Sequence, residues 1–269
     1  MESHQLEAYN TATDSDNKIH DDEVAAKFGF TGGLVPGVDI WAYLTHPPVM
    51  AWGMDWLTRG TMSGRLAKPV YDGEMINVEP SAVSTSPTGL TAKVEIRNSH
   101  ELVPADATVS LPNESVAPVD VGRYEHAPLP APEDRPPAGF DTLVTGQVLG
   151  SIDARFHADK HVEYLRDVRE TAPIYSTEKI AHPGHLLRSA NAVISQNVLL
   201  GPWIHVSSDV QHHGVVHDGA MVSTRGIVAE TFERKGHQFV RVDALVLADD
   251  VPVMAIDHVA IFRPRQLLG

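Results

Sequence analysis

The chain has no cysteine among its 269 residues, which excludes disulfides, thiolate metal sites and a thiol nucleophile. Basic residues are few: 21 Lys and Arg stand against 35 Asp and Glu, for a formal net charge of −14. That balance argues against a general nucleic-acid binder, which neutralises phosphates with clustered Lys and Arg. No run of about 18 apolar residues occurs, so no transmembrane helix is expected. The opening ten residues, MESHQLEAYN, lack a basic segment followed by an apolar one, so no secretory signal is expected either. These absences predict a soluble, cytoplasmic protein with neither membrane nor nucleic acid as partner. Present instead are 19 prolines, 20 glycines and 15 histidines, with enough apolar residues (42%) for a core in one large domain or two.

The sequence carries a faint internal repeat. Pro36-Gly37 is matched by Pro183-Gly184, Asp72-Gly73 by Asp218-Gly219, and the turn glycine Gly89 by Gly236, at offsets of 147, 146 and 147 residues. One matching dipeptide means nothing, but three in the same order at nearly one offset predict a duplicated unit. Residues 127–139, APLPAPEDRPPAG, have no apolar periodicity and predict an extended, semi-rigid linker. The expected domains are therefore 1–126 and 140–269.

Each half has the same grammar: a polar opening, a Pro-Gly, one principal helix, then strands. In the second half Leu187, Ala190, Asn191 and Ile194 fall on one mostly apolar helical face, predicting a helix from Gly184 to about Leu199. In the first half a helix beginning near Val38 is expected to break at Pro47 and Pro48, with a second short helix after them. Strands are expected over 76–84, 91–97, 221–230, 238–248 and 253–262, with turns at Gly89 and Gly236. A helix followed by an antiparallel meander, twice over, is an α+β architecture in which a curled sheet wraps the helix. The alternative is one continuous mixed sheet.

The densest polar cluster runs from Thr13 to Asp22. Asp21 or Asp22 suits a helix cap before the short amphipathic stretch that follows. His20 is a candidate proton donor or acceptor near neutral pH, and Asn17 can fix a water or a carbonyl through its amide. The pattern Asn17, Ile19, His20, Asp22, Ala25, then Gly29-Phe30 and Val35-Pro36-Gly37, resembles the motif of MaoC-like, (R)-specific enoyl-CoA hydratases. The stretch from Arg65 to Glu74 is similar to the strand region after that family's helix.

The resemblance implies two tandem hotdog domains, with an active site in the cleft between them. It implies a lyase that hydrates a 2-enoyl thioester, or dehydrates the 3-hydroxyacyl product, acting on acyl-CoA or a similar acyl thioester without a cofactor. Its water is held by a motif Asp and His. The family's Asp stands five residues before the His. That position is Ser15 here, flanked by Asp14 and Asp16, so the catalytic candidates are His20, Asn17, Asp14 and Asp16. The thioester carbonyl belongs at the helix start, near the Gly37 amide, where N–H groups meet developing negative charge. Pro36 and Ser15 are placed beside the substrate with it. Thioester hydrolysis and non-catalytic acyl binding remain open as alternatives.

Several further residues are candidates for substrate contact. Arg65 and Lys68, with Arg59, form a basic cluster suited to CoA phosphates. Trp41 and Trp52 suit an acyl-pocket wall. His182, at the second helix start, could line the cleft, and Arg188 could meet an anion or pair with an acid. Histidines 182, 185, 205, 212, 213, 217 and 258 invite a metal reading, but no HExxH motif is present and no metal site is expected. The double unit is expected to suit a homodimer.

Overall fold

The structure, a computed structural model, describes residues 1–13 and 15–267. In chain order it comprises β1 (His4–Glu7), α1 (Asp22–Lys27), α2 (Gly37–Arg59), β2 (Thr61–Leu66), β3 (Met75–Pro80), β4 (Ser84–Ser86), β5 (Gly89–Asn98) and β6 (Ala105–Pro112). The second half follows with β7 (Val148–Arg155), α3 (Ala158–Asp167), α4 (Ile174–Glu178), α5 (Pro183–Ser195), β8 (Ile204–His212), β9 (Met221–Arg234), β10 (His237–Ala248) and β11 (Val251–Arg263).

All eleven strands join one sheet in the order β1-β3-β5-β6-β2-β8-β11-β10-β9-β7, with β4 paired to β5. The order is nearly a palindrome: first-half strands lie on one side, second-half strands on the other. They meet where β2 pairs antiparallel with β8, Met62 opposite Val210 and Gly64 opposite Ser208. The sheet is continuous but not mixed, because every strand pair is antiparallel. α2 packs on the first-half strands and β8, α5 packs on β7, β9, β10 and β11, and the two helices pack on each other.

The repeat appears in the hydrogen bonds. Asn10 N–H donates to Asp72 Oδ1 at 2.7 Å, and Ala158 N–H donates to Asp218 Oδ1 at 2.9 Å. The bridge Leu34–Tyr71 is matched by Ile180–His217. Gly73 and Gly219 both turn with positive φ, at 74° and 85°. β9 and β10 join through a two-residue turn in which Lys235 and Gly236 both have positive φ, the geometry that suits the twist of a hairpin.

Two helices differ from the sequence reading. α2 runs through Pro47 and Pro48, and the break falls at Gly53, with φ 53° and ψ −134°. A proline removes a hydrogen bond but keeps φ near the helical value. Every residue from Val38 to Val49 is buried, so packing carries the helix across both prolines. Gly53 takes a backbone conformation that other residues adopt only under strain. α5 stops at Ser195 rather than Leu199. Asn197 ends it by donating to the carbonyls of Val193 and Gly150, while its Oδ1 accepts the Gly150 N–H.

The segment between β6 and β7 lies against the second half. Tyr124 packs with Leu245 and Leu247 and donates to Asp243 at 2.7 Å. Ala127 and Ser151 exchange bonds, and Ala138 and Pro136 pair with Leu199.

Candidate active site

A bilobed cleft opens between the halves. Its larger lobe, about 860 Å³, is mixed in character, with Thr11, Ser15, Arg135, Arg188, Ser195 and Gln196 supplying polar groups among apolar walls such as Val38, Val198 and Leu200. The other, about 450 Å³, is mostly apolar, walled by residues such as Phe28, Phe30, Ile40, Leu66, Ile204 and Phe239. Five residues line both: Asn17, His20, Pro36, Asn191 and Trp203. They mark the junction of the lobes.

The segment carrying His20 is fastened from several sides. Ile19 is buried against Ala25 and Leu34. Asn10 Nδ2 donates to the His20 carbonyl at 2.9 Å, and Gly33 N–H donates to Asp22 Oδ1 at 2.6 Å. Asp21 caps α1 by accepting the Val24 N–H. The Asn17 amide clasps the peptide of Trp203 in the other half. Its Nδ2 donates to the Trp203 carbonyl at 3.0 Å and its Oδ1 accepts the Trp203 N–H at 3.2 Å. It leaves only a long contact, 3.4 Å, to His20 Nε2.

His20 Nδ1 donates to the carbonyl of Leu34 at 2.6 Å. That bond fixes the tautomer and leaves the lone pair on Nε2. Burial lowers the imidazole's pKa below its usual value, opposed by the Leu34 carbonyl and by Asp39. At neutral pH the ring is therefore an uncharged base.

The two helix starts are not alike. His182 caps α5 by accepting the Gly184 N–H on Nδ1 at 3.0 Å, and a Cβ on Gly184 would meet Tyr164 Oη and Ala42 Cβ at 2.5 Å. That second start is capped by a side chain, and Gly184 is buried and lines neither lobe. Pro36 precedes α2 and supplies no side-chain cap, and Gly37 lines the apolar lobe. The first start is thus the one that presents a helix head to the cleft. His205 lies against it from β8, its Nε2 bonded to Ser208 Oγ, which in turn bonds His258 Nδ1.

No family model matches the chain, and no curated protein matches it. Solved structures do. A protein of Chloroflexus aurantiacus J-10-fl, described as a candidate MaoC domain dehydratase, is 13% identical with a TM-score of 0.66, covering 98% of this chain and 95% of its own. A conserved hypothetical protein of Mycobacterium tuberculosis, described as a double hotdog, is 14% identical with a TM-score of 0.61, covering 97% and 96%. A candidate thioesterase of Novosphingobium aromaticivorans DSM 12444 is 10% identical with a TM-score of 0.53, covering 86% and 89%. The chain has the double-hotdog fold.

Within this double hotdog, the residues singled out from the sequence separate into two groups. His20, Asn17, Ser15, Asp16, Pro36, Gly37, Lys68 and Arg188 line the cleft. Asp14 lies outside the described residues. Ser15 Oγ accepts the Asn17 N–H at 3.1 Å, so it is engaged in its own turn, and Asp16 is exposed. Arg188 pairs with an acid: it donates to both oxygens of fully buried Asp39 at 2.8 Å and stacks over Tyr164.

Three candidates lie elsewhere. Arg65 points to solvent and pairs with Asp106 across β6, because its strand position faces outward. Trp41 is fully buried beneath Gly64 and fills core rather than cleft. His182 is fully buried as the α5 cap, with Nε2 near Glu170 and Thr45. The basic cluster dissolves likewise. Arg59 bonds the Pro112 carbonyl and pairs with Asp55, so Lys68 alone of the three reaches the cleft.

The sequence reading missed Asn191, Arg135 and Arg265. Asn191 reads from the sequence only as a helical-face position, and Arg265 follows β11 and lines the apolar lobe together with Lys68. Among the described residues no group of three or more His, Asp or Glu is arranged to hold a metal, and no helix is long and apolar enough to cross a membrane.

Proposed function

We propose that the chain adds water to a 2-enoyl thioester, or removes it from the 3-hydroxyacyl product, in the cleft between its halves. The observation that carries this reading is His20, a neutral imidazole whose Nδ1 is held by the Leu34 carbonyl and whose basic Nε2 belongs to a residue lining both lobes. The head of α2 at Gly37 lines the same apolar lobe and suits a thioester oxygen that gains charge during reaction. Lys68 and Arg265 in that lobe suit an anionic carrier such as CoA. Asp16 is the sole carboxylate lining either lobe among the described residues, and it is exposed. Thioester hydrolysis, which needs a placed carboxylate, is accordingly the weaker alternative.

Loss of enoyl absorbance from trans-2-enoyl-CoA esters of short, medium and long chain tests the proposal. Wild type should hydrate at least one, and His20→Ala should lose about a hundredfold or more in kcat/KM. Release of free thiol instead of hydration would make it a thioesterase. Acyl-CoA binding by calorimetry without turnover of any ester would make it a binding module.

A further inference from the structure

Three polar side chains line both lobes at their junction, apart from the Trp203 indole: Asn17, His20 and Asn191. The first two have identified partners, the Trp203 peptide and the Leu34 carbonyl. Asn191 does not: its Oδ1 is buried with no hydrogen-bond partner. A buried acceptor left unmatched costs about 1–3 kcal/mol, so an amide here, on a face otherwise formed by Leu187, Ala190 and Ile194, is not explained by packing.

Among the described residues of the first half, the other side-chain acceptors near the cleft are engaged or exposed. Ser15 holds the Asn17 N–H, Asp16 is exposed, and Asp39 is saturated by Arg188 and Thr11. α5 itself is anchored one turn earlier by that Arg188–Asp39 pair, which fixes where Asn191 stands.

We infer that Asn191 holds the reacting water against His20 Nε2, an amide contributed to the site by the second half. This rests on the proposed hydration. Oδ1 accepts one O–H of the water and His20 Nε2 accepts the other. As the water oxygen bonds to the β-carbon, its proton passes to Nε2. The electron pair of the double bond moves toward the α-carbon and the thioester oxygen at the α2 head. The imidazolium then returns the proton to the α-carbon. One water is consumed and His20 ends neutral. In reverse, the same pair receives the departing hydroxyl as water.

The test is steady-state hydration of trans-2-enoyl-CoA by wild type, Asn191→Ala and Asn191→Asp. Alanine favours helix and removes atoms at a wall open to the cleft, so the variant should fold, as checked by circular dichroism. Expected is a fall in kcat of about a hundredfold for Asn191→Ala with KM within about threefold, and recovery of most of kcat by Asn191→Asp, which restores an acceptor. A merely structural role would not be rescued by the charged variant. Asn191→Ala that keeps kcat, or raises only KM, overturns the inference while leaving hydration standing. A wild type that hydrates no ester removes the reading beneath it as well.

Discussion

His20 Nδ1 lies 2.6 Å from the carbonyl oxygen of Leu34, fourteen residues further along the chain. The bond commits one nitrogen to the backbone and frees the other for proton transfer, and burial holds the ring's pKa below the usual 6.5. A base must be deprotonated to work. The kcat/KM profile for enoyl-CoA hydration should therefore be flat through neutral pH and fall on the acid side, with an apparent pKa below 6.5. A limb centred above 7 would assign the base to another group.

Gly37 and Gly184 give a paired test. A Cβ on Gly37 would meet Leu66 Cδ1 at 2.6 Å and the His205 ring at 2.9 Å, and one on Gly184 would meet Tyr164 and Ala42 at 2.5 Å. Each Gly→Ala change should cost about 1–3 kcal/mol of stability by urea unfolding, the usual effect of overpacking. Only Gly37→Ala should also depress kcat, by about tenfold or more, because only that helix head opens on the cleft. Equal activities for the two variants would remove the α2 head from the mechanism.

How far these residues could be read from sequence depends on the range of the contact behind them. The repeat, the Pro-Gly helix starts and the hairpin at Gly236 are local signals, and the fold follows from them. The His20 segment was legible through its motif. The break expected at Pro47 and Pro48 moved to Gly53 because a fully buried face outweighed two lost hydrogen bonds. Asn191, Arg265 and the identity of the acid that Arg188 pairs with were hidden, since each depends on contacts between halves more than a hundred residues apart, which no local pattern encodes.

The Arg188–Asp39 pair joins α5 to α2, with Asp39 fully buried and Arg188 keeping 34% of its side chain exposed. Removing one partner strands the other. Arg188→Met should cost about 3 kcal/mol in urea unfolding, the low end for a broken buried pair because the guanidinium is partly exposed. Asp39→Leu with Arg188→Met should lose less than the two singles combined, since no uncompensated charge remains. Strict additivity would mean that the pair contributes no coupling.

The histidine surplus also predicts an acid limit. His161, His185, His205 and His212 are held down by burial, to about 2, 4, 4 and 3, and His258 lies well below 6.5 for the same reason. All five stay neutral in the fold at pH values where the unfolded chain protonates them. Below pH 6.5 the unfolded state therefore binds more protons, and stability falls as pH falls. Each such group contributes up to about 1.4 kcal/mol per pH unit, so five give about 7. Against a typical total of about 5–15 kcal/mol, that places acid unfolding near pH 5. Urea midpoints measured from pH 7.5 to 5 should fall steeply below 6.5. His212→Phe replaces a ring packed edge-on to Trp56 whose Nε2 has no partner, and it should make the slope shallower by one proton. If the midpoint stays level down to pH 5, the buried histidines are not neutral in the way their burial requires.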